Sequence, residues 1–144
     1  MKKFLTILAV SLSLSVLLVI QRSYSETAED YYYQANLSLT SGRINEAVSY
    51  YKQAANKRAD FFEAYLGLSI AYRELKEYDQ AHEAITKVLE IKPDYYQVYY
   101  NLGLILEKQG RNAEAVQAYE RFLASVPGAA RFTDVKQRIQ NLKK

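Results

Sequence analysis

One pattern of apolar and small residues returns along this chain every 34 positions: Tyr31, Tyr65 and Tyr99; Ala35, Ser69 and Gly103; Ala47, Ala81 and Ala115; Tyr51, Ile85 and Tyr119. Asp60 with Asp94, and Pro93 with Pro127, keep the same interval. Independent positions sharing one period mark an internal repeat, a unit that buries its apolar side by stacking on its neighbours. The repeat units run over residues 28–61, 62–95 and 96–129.

Each unit reads as two helices around a tight turn. The first helices are expected to begin near Ala28, Phe61 and Tyr95, with Asp60/Glu63 and Asp94/Gln97 as capping boxes for the last two. Gly42 and Gly110 fall where first helices should stop; Lys76 replaces glycine in the middle unit, so that turn is expected to be less favourable or differently shaped. Second helices are expected from about Ile44, Tyr78 and Asn112, with Pro93 and Pro127 ending two of them. Gly103 interrupts a leucine-rich helical face at a cost of about 1 kcal/mol relative to alanine, so it is expected to make room for its partner helix. Past Pro127, residues Phe132, Val135, Ile139 and Leu142 share one helical face and predict a helix, over 130–144, that caps the array. Phe122, where the earlier units carry Ala54 and Val88, is expected to meet it.

These units resemble tetratricopeptide repeats. The third carries Tyr99, Leu102, Gly103, Gly110, Ala115, Tyr119 and Pro127; the second carries Tyr65, Leu68, Tyr72, Tyr78, Ala81 and Pro93. The first departs from the pattern at Gln34 and Ser38. The resemblance implies an all-α, right-handed superhelical solenoid of three helix-turn-helix repeats plus the C-terminal capping helix. It also implies that the first helix of each pair lines a concave groove. Projected onto this chain, that groove holds Tyr32 and Asn36, then Leu66, Ile70 and Arg73, then Tyr100, Asn101 and Leu104, with Leu39 and Glu107 beside them. An apolar groove with polar edges suits a peptide or helix of a partner protein. Co-chaperone members of the family carry a lysine-and-asparagine clamp for a terminal carboxylate; here Tyr32 and Leu66 occupy lysine-type places, so that clamp is not reproduced. The alternative is a structural subunit of a larger cell-envelope assembly, using its convex face and terminal helices.

Residues 1–25 differ from everything after them. Lys2 and Lys3 precede an uncharged, largely apolar run from Phe4 to Ile20, closed by Gln21 and Arg22. Its length falls between a signal-peptide core and a comfortable bilayer span, so a removable signal and an N-terminal membrane anchor both remain open. Either predicts export across the cytoplasmic membrane or attachment to it. The cations of this segment account for the whole formal charge of +3, leaving the remainder neutral. Charges there are interspersed and no basic stripe appears, which disfavours nucleic acid.

Candidate chemistry is sparse. The chain has no cysteine and one histidine, His82, without a second ligand at suitable spacing. His82 is expected to face solvent, and Glu74–Lys76 and Glu107–Arg111 to form solvated pairs. No nucleophile, cofactor or metal pattern stands out, so the expectation is a non-enzymatic binding module.

Overall fold

A computed structural model describes residues 26–125, 128 and 132–144. Among these described residues seven helices follow one another: α1 (Ala28–Thr40), α2 (Ile44–Lys57), α3 (Phe62–Glu74), α4 (Tyr78–Ile91), α5 (Val98–Lys108), α6 (Asn112–Ser125) and α7 (Thr133–Leu142). They pack as the pairs α1/α2, α3/α4 and α5/α6, each pair stacked on the next, with α7 closing the end against α6. The chain is thus an all-α solenoid of stacked helix pairs with a terminal helix.

The second helices owe their placement to spacing. In α2, Ala47, Val48, Tyr51, Ala54 and Ala55 are buried, a stripe at successive helical turns, while Glu46, Lys52 and Asn56 face water. The middle first helix, α3, has neighbours on both sides in the stack, and its buried set is broader: Ala64, Gly67, Leu68, Ser69, Ala71 and Tyr72. The first helices also touch each other, α1 against α3 and α3 against α5. They therefore form an inner row, and α2, α4 and α6 the outer one.

The turns follow the glycine argument in shape. Gly42 and Gly110 sit at φ +74° and +75°, and Lys76 takes the same left-handed conformation at φ 62°. All three close with the same pair of backbone bonds: Arg43 N–H donates to Ser38 O, Glu77 to Tyr72 O and Arg111 to Leu106 O, each beside a shorter-range bond. Lys76 does not reshape its turn; it carries the steric cost of the left-handed region instead.

The capping expectation is corrected. α3 starts from Phe61 and α5 from Gln97, neither with a side-chain cap, so Asp60 and Asp94 lie ahead of the capping position. Burial explains the shift at α3: Phe61 is tucked among Ala28, Ala54, Ala55 and Ala64, which fixes the helix start one residue beyond Asp60. A capping box does form at α1, where Thr27 and Asp30 exchange bonds.

Gly103 faces its partner helix through a ring. A Cβ built there would stand 2.4 Å from Cε1 of Tyr119 on α6, and one on Gly67 would clash with the Tyr51 ring of α2. The missing methyl is filled by a buried tyrosine rather than by backbone. At the cap, Phe122 meets Phe132 edge-on with ring centroids 5.1 Å apart, and Val135, fully buried, joins the same cluster.

The localisation expectation is also corrected. Among the described residues no helix is long and apolar enough to cross a membrane. The longest have 14 residues, about 21 Å at 1.5 Å per residue, against a hydrocarbon core of about 30 Å. The described residues therefore supply no membrane anchor, which counts against the anchored placement and against membrane association. Residues 1–25, on which that expectation rested, lie outside the described residues, as does Pro127.

Candidate functional site

The residues projected onto a groove lie on the inner row. Tyr32, Asn36, Leu66, Ile70, Arg73, Tyr100, Asn101 and Leu104 are all half-buried, as are Leu39 and Glu107. Half-burial is what a residue shows when its base packs on the core and its outer side meets solvent.

The two tyrosines are seated alike. Tyr32 lies over Tyr51 and Phe61, with centroids 5.9 and 5.2 Å away; Tyr100 lies over Tyr119 and Phe122 at 6.1 and 5.5 Å. Tilted ring pairs of this kind hold each aromatic in one orientation, so little side-chain entropy remains to be lost on contact with a partner. Leu66 occupies the equivalent place on α3 and also packs against the core.

Polar groups punctuate this apolar floor. Asn36 Oδ1 accepts from the Tyr51 hydroxyl at 2.7 Å. Arg73 Nη1 donates to Asn101 Oδ1 at 3.3 Å, tying α3 to α5. Glu107 is more heavily committed: the Tyr119 hydroxyl donates to it at 2.9 Å, and Arg138 of α7 reaches both its oxygens at 3.0 Å. Burial pushes the Tyr51 hydroxyl up to about 12, and burial together with Glu107 raises that of Tyr119 further. The sequence reading missed Arg138, although it stands one repeat beyond Leu104 and so belongs to the inner row. The period continued into the cap was the signal.

Several pairings differ from expectation. Arg111 pairs with Glu114 and Glu74 with Arg73, because helical spacing or adjacency brings those partners nearer than Glu107 or Lys76. His82 is half-buried, its Nε2 3.3 Å from Arg111 Nη1; burial and that guanidinium lower its pKa. Among the described residues no group of three or more His, Asp or Glu could hold a metal.

Two small clefts lie away from these residues, between paired helices. One, of about 260 Å³, is lined by Tyr65, Leu68, Ala84 and Lys87; the other, of about 170 Å³, by Tyr99, Leu102, Ala118 and Arg121. They sit at the same places in successive units. In the first unit Tyr50 replaces the alanine and stacks on Tyr31 at 6.4 Å. The clefts therefore follow from helix-pair geometry, and the size of one side chain decides whether each is filled.

Comparison with known proteins agrees with this architecture. Two family models described as tetratricopeptide repeat match residues 38–86 and 70–130. The yeast (Saccharomyces cerevisiae) small glutamine-rich tetratricopeptide repeat-containing protein 2 is 31% identical over 96 residues, covering 67% of this chain and 28% of that protein. The chain thus spans little more than a quarter of that relative's length. The crystal structure of MamA superposes with a TM-score of 0.76 at 24% identity, covering 85% of this chain and 70% of that one. The first repeat domain of Spaghetti (RPAP3), solved bound to an HSP90 peptide, superposes at 0.75 with 20% identity, covering 83% and 96%. With its repeat period, its stacked pairs and both family models in agreement, the chain belongs to the tetratricopeptide repeat family.

Proposed function

We propose that the chain is a non-enzymatic module that holds a segment of a partner protein against its inner row. One observation carries this reading: five apolar side chains on three successive first helices, Tyr32, Leu66, Ile70, Tyr100 and Leu104, keep an open side although each packs or lies beside the core. Apolar side chains repeated along a row of helices favour a polypeptide occupant, and the preset tyrosines lower the cost of ordering. The RPAP3 domain, similar in fold, holds a peptide. That likeness supports a peptide as occupant; the identity of this chain's partner rests on its own groove.

The test is selection of binders from a random dodecapeptide display library on the full chain. Peptides that bind the wild type and are lost with Tyr32→Ala plus Tyr100→Ala, a variant checked for an intact helical spectrum, support the reading. Binders indifferent to that pair, or none at all, overturn it.

A further inference from the structure

The groove's charges are unevenly satisfied. Glu107, the carboxylate of the inner row, is held by both Arg138 and Tyr119. Arg73, on the middle first helix, meets only the neutral Asn101 amide on its groove side, at 3.3 Å; its other terminal nitrogen is 3.2 Å from Glu74, an exposed neighbour on the same helix. The Arg73 side chain is 24% exposed, so it is largely withdrawn from water. A guanidinium so placed has donors to spare, and a carboxylate is the partner its fork fits best.

We propose that the segment held in the groove carries an internal Asp or Glu side chain that pairs with Arg73, oriented by the Asn101 amide. The proposal rests on the groove reading and adds the chemistry of the occupant. Position decides between an internal and a terminal carboxylate. Ile70 lies one turn before Arg73 on α3, and Tyr100 and Leu104 stand beside Asn101 on α5, so a segment whose acid reaches Arg73 has apolar side chains on both sides of it. A chain end would leave one of those apolar stretches uncovered. The preferred sequence is therefore apolar residues on both sides of one acid.

The same selected peptides supply the test, now synthesised and titrated against the full chain. The acid is expected in the middle of the enriched sequences. Changing it to the matching amide, or Arg73→Gln in the protein, should each weaken binding by about ten- to a hundredfold, the range for losing a hydrogen bond between charged groups. The two changes together should cost little more than either alone, and Arg73→Lys should restore part of the loss. Amidating the peptide's own C-terminus should change nothing. Tyr32- and Tyr100-dependent peptides without an acid, or binding indifferent to Arg73→Gln, would overturn this proposal while leaving the groove reading standing. A selection that yields no groove-dependent peptide overturns both.

Discussion

Gly103→Ala tests the packing of the third pair most sharply. The new methyl would stand 2.4, 2.6 and 2.8 Å from Cε1, Cδ1 and Cζ of Tyr119. Ordinary contact needs about an ångström more, so the ring or the helix must move. The ring has little freedom: it is fully buried, lies against Tyr100, and its hydroxyl is fixed on Glu107. Overpacking of this sort costs about 1–3 kcal/mol, against about 1 kcal/mol gained from alanine's better helix propensity. With contacts this short the upper half of the range applies, giving a net loss of about 1–2 kcal/mol. The middle repeat supplies the control, since Ser69 and Ile85 stand at the places of Gly103 and Tyr119. A β-carbon is tolerated there opposite a side chain that is not a ring, and at Ala35 in the first repeat where the Tyr51 ring is turned onto Gly67 instead. In a Tyr119→Ile background, Gly103→Ala should therefore stabilise by about 1 kcal/mol, so the cycle should return a coupling of about 2–3 kcal/mol. Urea unfolding of the four proteins measures it. Equal effects of Gly103→Ala in both backgrounds would refute the assignment.

Other outcomes follow from the same geometry. Lys76→Gly relieves a left-handed lysine costing about 1–2 kcal/mol, offset by the looser unfolded chain, and should raise stability by about 0.5–1 kcal/mol in thermal unfolding. Tyr51 and Tyr119 hold their protons more tightly when folded than the usual tyrosine value of about 10 allows. Their contribution is thus complete below about pH 10 and fades as pH rises from there toward and beyond 12, because the unfolded chain releases protons that the folded one keeps. Tyr51→Phe should flatten that decline in denaturant titrations at successive pH values. Arg138→Ala breaks the bond between cap and groove; with both partners partly exposed it should cost about 0.5–1 kcal/mol, and less in high salt.

Much of the fold was legible because the repeat forces consistency. The positions that recur at Ala47, Ala81 and Ala115 are all buried to 0%, and the second helices start at the residues the pattern names. What the sequence hid was local competition. Asp60 has the right chemistry for a cap, yet burying the Phe61 ring offers more than one capping bond, and the helix starts one residue later. The Gly67–Tyr51 contact joins different units, so a comparison of like positions could not reveal it. The resemblance to tetratricopeptide repeats, projected through the 34-residue spacing, places the groove residues on one row. Which of their charges were already satisfied depended on Arg138, a contact between residues 31 apart in sequence.

The claim on which the account rests is that the inner row of first helices receives the partner. A nitrogen–proton correlation titration of the labelled chain with a selected peptide addresses it directly. The account predicts shifts concentrated on α1, α3 and α5, at Tyr32, Asn36, Ile70, Arg73, Tyr100 and Asn101. Shifts concentrated instead on the outer helices, around His82, Lys87 and Arg121, would contradict it.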